Sequence, residues 1–106
     1  MKLAKEPTVP PEAGEPPLTA EEVRRLSRAV PEWEVEDQVL RRELKFPDFV
    51  EAMDFVNEVA EVAQAADHHP DLCISYNRVR LELTTHKIGG LSRNDFIVAA
   101  RIDELV

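Results

Sequence analysis

The apolar residues of this chain change period partway along, and that change restricts the folds open to it. After Pro47 and Asp48, the residues Phe49, Val50, Met53, Val56, Ala60 and Ala63 recur at the spacing of one helical stripe. Glu51, Asp54, Glu58 and Glu61 fall on the opposite side. After Pro70 the pattern becomes an alternation. Leu72 to Tyr76 reads as one strand, and Val79, Leu81 and Leu83 interleave with Arg80 and Glu82 in the next. A helix brings every third or fourth residue to one face and a strand every second, so no single element satisfies both patterns. The sequence therefore predicts an amphipathic helix followed by a half-buried hairpin. Pro47 and Asp48 open the helix, where a missing N–H costs nothing.

The same logic applies upstream and downstream. Thr19 and Glu22 form a capping box before Val23, Leu26 and Val30, and Pro31 ends that helix. Trp33 and Val35 alternate with charged residues as a short strand, Glu36-Asp37 supplies a turn, and Val39 to Phe46 returns as a second strand. Gly89-Gly90 gives freedom to turn. Ser92 caps a last helix with Asp95 three residues on, and Phe96, Ile97, Ala100 and Leu105 are its candidate buried residues. The order α-β-β-α-β-β-α predicts a two-layer α+β domain: a four-stranded antiparallel sheet with helices on one face. That domain spans residues 18–106. Residues 1–17 hold five prolines and few large apolar side chains, so an extended or disordered arm is expected there. Phe55, Val59 and Val62 widen the apolar stripe of the long helix beyond the needs of one sheet, which suggests a subunit interface.

Charge narrows the function. A formal net charge of −8, from 21 acidic and 13 basic side chains, argues against direct nucleic-acid binding. Arg78 and Arg80 then read as a solvated strand face. The lone cysteine, Cys73, can form no internal disulfide and is expected as a buried strand residue, which suits the cytoplasm. No apolar run is long enough to span a membrane, and no secretory leader is evident.

All three histidines, His68, His69 and His86, lie in one C-terminal stretch. Histidine exchanges protons near neutral pH, so a cluster of them points to proton-transfer chemistry. His68 and His69 stand at a helix end, between Asp67 and Pro70. If the two later strands form a hairpin, the start of the first lies beside the end of the second. His68 and His69 then approach Thr84, Thr85 and His86 at one sheet edge, and Asp95 can reach the same edge. A plain surface placement of the three rings is the alternative. Three histidines plus Asp95 would also suit zinc, but the spacings that put two ligands on one face are absent.

At these residues the chain resembles the pterin-4a-carbinolamine dehydratase family. The matching text is Asp67-His68-His69-Pro70, Tyr76-Asn77, Thr85-His86, Gly90-Leu91-Ser92 and Asp95, with weaker matches at Leu18 to Glu22, Trp33 and Phe46 to Phe49. The resemblance implies dehydration of 4a-hydroxytetrahydropterin to quinonoid dihydropterin in tetrahydrobiopterin recycling. It implies a pterin as substrate, no metal or organic cofactor, and a homodimer or homotetramer. By the same resemblance His68 and His86 are the main acid–base pair, His69 binds and orients the pterin and shares in proton transfer, and Asp95 orients or supports an imidazolium. Asp67, Pro70, Thr84, Thr85 and Lys87 line the pocket. Gln64, Leu72 and Asn94 depart from residues frequent in the family. Some relatives act as dimerisation or regulatory modules, which leaves a non-catalytic binding role, or action on a related pterin, as other readings.

Overall fold

The computed structural model describes residues 2–106. Three helices, α1 (Ala20–Ser27), α2 (Phe49–Ala66) and α3 (Arg93–Asp103), accompany strands β1 (Glu34–Glu36), β2 (Val39–Lys45), β3 (Asp71–Ser75) and β4 (Arg78–Leu83). The sheet is antiparallel throughout, in the order β1-β2-β4-β3. The predicted α+β class and element order are both found. Among the described residues no helix is long and apolar enough to cross a membrane.

Local chemistry sets the elements. Thr19 and Glu22 close the expected capping box on α1. The Thr19 backbone N–H, given to the Glu22 side chain, holds that carboxyl below its ordinary range. Glu36 pairs with Val39 across a two-residue turn, in which Asp37 and Gln38 both have positive φ. That backbone matches the twist of a tight hairpin. The turn sits one residue later than the sequence suggested. Asp48 caps α2 through the Glu51 N–H at 2.9 Å.

The core lies between the helices and one sheet face. Leu40, Val79, Leu81 and Leu83 point into it from the sheet, and Val59, Phe96, Ile97, Val98 and Ile102 from the helices. Full burial of each such aliphatic or aromatic side chain contributes roughly 1.5–3 kcal/mol. Trp33 is buried, and its indole N–H donates to Asp103 Oδ1 at 2.7 Å.

Two side-chain expectations are corrected. The buried stripe of α2 is Ala52, Phe55, Val56, Val59, Ala63 and Ala66, whereas Phe49 and Val50 are exposed. Phe55 and Val59, expected at a subunit interface, pack into the core, and Val62 is half-buried against it. Apolar residues occupy more than half of this helix's circumference, so periodicity alone leaves the sheet-facing arc undecided. Cys73 is exposed. Leu72 and Ile74 pair with Leu81 and Val79 and share their helix-side face, so Cys73 points to the open side of the sheet.

The proline-rich segment expected to be an extended or disordered arm is seated on α3 in its first part. Leu3 is buried in a short 3-10 turn, Leu3–Lys5. Arg101 donates to the carbonyls of Ala4 at 3.0 Å and Glu6 at 2.7 Å. The Arg93 guanidinium grips both Glu6 oxygens at 2.7 and 2.9 Å, and that hydrogen bonding holds the Glu6 carboxyl below its ordinary range.

Candidate functional site

The site forms where α2 ends, β4 ends and α3 begins. α2 stops because Asp67 enters the left-handed region at φ 51°, and the His68 N–H closes on the Ala63 carbonyl at 3.2 Å. Pro70 then leads the chain into β3. Asp71 pairs with Glu82. Three residues before Asp71 is His68, and three after Glu82 is Thr85, so the hairpin register brings these two to the same level. Thr85 and Gly90 bridge the neck of a loop carrying His86 and Lys87. After the loop, Ser92 starts α3 and places Asp95 in its first turn.

Asp95 is the centre of the arrangement. Its side chain is fully buried. One carboxylate oxygen lies 2.5 Å from His68 Nε2. The other accepts from the Thr85 hydroxyl at 2.8 Å and the Ser92 backbone N–H at 2.9 Å. The Thr85 and Ser92 hydroxyls are 2.7 Å apart. A buried carboxylate must be paired and hydrogen-bonded to persist, and here three donors and a helix N-terminus converge on it. An ionised carboxylate only accepts, so with Asp95 ionised the His68 ring donates through Nε2, and in the neutral ring the lone pair lies on Nδ1. The His68 side chain is only 10% exposed, and among the described residues no buried side-chain nitrogen or oxygen lacks a partner.

The remaining expected residues are spread around this pair. His69 turns the other way and its Nε2 meets Gln64 Oε1 at 2.8 Å. Adjacent side chains diverge, so only one of the two rings reaches Asp95. His86 and Lys87 are exposed on a 3-10 turn immediately after Thr85. Asp67 is exposed at the helix end, and Pro70 is half-buried. Thr84 donates to the Gln38 carbonyl at 2.7 Å, toward the β1–β2 turn. Hollows of about 190 to 440 Å³ open elsewhere on the surface, and none of these is lined by a histidine. His68 is thus set against Asp95 with little exposure, whereas His69 and His86 are exposed and none of these hollows gathers the three rings. Among the described residues no three His, Cys, Asp or Glu side chains come together to hold a metal ion.

Sequence reasoning assigned Thr85 to pocket lining and Ser92 to helix capping. Both also bind the carboxylate behind His68. The spacing of Ser92 and Asp95 carried that signal, because a capping carboxylate with one oxygen to spare can serve a second donor. Gln64, noted only as a departure, is the partner of His69.

The chain is thus a small two-layer α+β domain in which one imidazole is backed by a buried carboxylate. Residues 16–105 match the family model described as pterin 4 alpha carbinolamine dehydratase, and the chain belongs to that family. A relative from Rubrobacter xylanophilus, provisionally named as such a dehydratase, is 48% identical over 105 residues, covering 98% of each chain. One from Methylococcus capsulatus, with the same provisional name, is 49% identical over 98 residues, covering 91% of this chain and 86% of the relative. A crystal structure of a transcriptional coactivator/pterin dehydratase from Brucella melitensis superposes with a TM-score of 0.80 at 33% identity, covering 84% of this chain and 97% of that one.

Proposed function

We propose that this chain dehydrates 4a-hydroxytetrahydropterin to quinonoid dihydropterin by histidine acid–base catalysis, in tetrahydrobiopterin recycling. The observation that carries the reading is the His68–Asp95 pair. In the reaction the C4a–O bond breaks, the leaving oxygen takes a proton and departs as water. A ring N–H gives up its proton as the C=N bond forms. His68, neutral with its lone pair on Nδ1, is suited to remove the ring proton, and Asp95 stabilises the imidazolium that results. His86, exposed on the turn that follows Thr85, supplies the proton to the leaving oxygen. His69, steadied by Gln64, orients the pterin. Asp67, Pro70, Thr84 and Lys87 contact the pterin in this reading, and Thr85, buried on Asp95, holds the carboxylate behind His68.

The reading is tested by stopped-flow dehydration of the 4a-carbinolamine with the unaltered chain and with His68→Ala and His86→Ala. Rates within about threefold of the unaltered chain for both variants would remove the assigned roles, since acid–base groups contribute about 100-fold or more.

A second, non-catalytic reading rests on exposed apolar surface. Leu72 and Ile74 on edge strand β3, and Phe49 and Val50 on α2, are 38–65% exposed. A free strand edge beside uncovered apolar side chains favours pairing with another chain. We therefore also propose that the chain forms a homo-oligomer through this surface. A regulatory role, as in the name of the Brucella relative, would use the same face and leave the histidines idle.

A further inference from the structure

The seated segment 2–9 touches both elements that supply the His68–Asp95 pair. The Thr8 hydroxyl donates to the Ala66 carbonyl at 2.9 Å, on the last residue of α2 and two before His68. At the next residue, Asn94 clamps the backbone of Val9 from both sides. It accepts from the Val9 N–H at 3.0 Å and donates to the Val9 carbonyl at 2.6 Å. Asn94 is 7% exposed and directly precedes Asp95. Two consecutive residues of the segment thus tie the end of α2 to the start of α3, across the gap that the His68–Asp95 bond spans.

From this geometry we infer that residues 2–9 are a brace for the site, with Thr8 and Asn94 acting as positioning residues that hold His68 Nε2 on Asp95. The pair joins side chains 27 residues apart on elements that end and begin there, so its length follows the spacing between α2 and α3. The brace is anchored further back by Leu3 in the core, by Arg101 on two carbonyls and by Arg93 on Glu6. It precedes the region matched by the family model, which begins at residue 16. The kinetic part of this inference rests on the dehydratase reading. The geometric part does not.

The test uses the 106-residue chain carrying Thr8→Val, Thr8→Ser or Asn94→Ala, with two readouts taken well below each variant's melting temperature. The first is solvent exchange of the His68 Nε2 proton, followed by nitrogen-edited NMR. The second is dehydration kinetics. Thr8→Val and Asn94→Ala should speed exchange of the ring proton and lower kcat by roughly 10-fold, because a small misplacement of a catalytic group is costly. KM should change by no more than about twofold. Thr8→Ser keeps the hydroxyl and should restore both readouts. Should Asn94→Ala fail to fold, the Thr8 pair decides alone. Unchanged ring-proton exchange in folded Thr8→Val would overturn the brace. Absence of turnover in the unaltered chain would instead overturn the dehydratase reading, and the exchange comparison would still judge the brace.

Discussion

Asp95→Asn separates the two duties of the buried carboxylate. The Ser92 N–H can only donate, so the asparagine oxygen has to stay on the Ser92 and Thr85 side, where it keeps both bonds. The amide NH₂ then faces His68 Nε2. Two donors cannot share that contact, so the ring moves its proton to Nδ1 and presents N–H where it now presents a lone pair. One charge-assisted bond becomes a neutral one, at a cost of about 1–2 kcal/mol. For a domain of this size that lowers Tm by roughly 5–15 °C and leaves the protein folded at 25 °C. A histidine held in the wrong tautomer loses roughly three to four orders of magnitude in kcat. Asp95→Ala differs in kind. It strands the Ser92 N–H at roughly 1–3 kcal/mol and leaves a cavity, while the Thr85 hydroxyl can turn to Ser92 Oγ and the His68 ring can move its proton to Nδ1. The assays are thermal denaturation, ¹⁵N chemical shifts of the His68 ring, and carbinolamine dehydration. A folded Asp95→Asn protein with its proton still on Nε2 and a rate within about tenfold of the unaltered chain would reduce Asp95 to a helix cap, well short of the loss expected from a wrong tautomer.

Other outcomes follow from the contacts. Glu6 has a depressed carboxyl range in the folded chain, so its contribution is complete above its ordinary value of 4.5 and is lost as pH falls through the folded value. Exchange protection of the Val9 amide should therefore weaken in acid, and Arg93→Gln should flatten that dependence. Gly90→Ala would put a Cβ 2.7 Å from both Gln38 Oε1 and Pro17 Cβ, so Tm should drop by an amount equivalent to roughly 1–3 kcal/mol in calorimetry. Leu72→Lys with Ile74→Lys should reduce the sedimentation mass to that of one chain without changing monomer helicity; an unaltered mass would remove β3 from the proposed interface.

Much of the architecture was legible because several signals agreed. Alternation from Val79 to Leu83, the Thr19–Glu22 box and the Ser92–Asp95 spacing each named an element, and each stands in the structure. The parity that corrects Cys73 was also in the text, since Leu72 and Ile74 must share a face. The inward arc of α2 was not legible, because its acidic residues exclude one side and leave two apolar arcs to choose from. Nor was the seating of residues 2–9. Composition shows that prolines and charges build no core of their own, but not that Asn94 and Arg101 wait to receive backbone groups from far away in sequence. At the site, the clustering of histidines in the chain was visible. Which neighbour of the His68-His69 pair turns inward was not, because it depends on the left-handed residue Asp67.

The single tryptophan and the single tyrosine mark different regions of the molecule. Trp33 sits in the interior, tethered to the last residue of α3, and Tyr76 stands 67% exposed at the β3–β4 turn. Ultraviolet emission thus comes from two separately addressable reporters, one sensing whether α3 is docked and the other sensing solvent at the hairpin tip, with no dye attached.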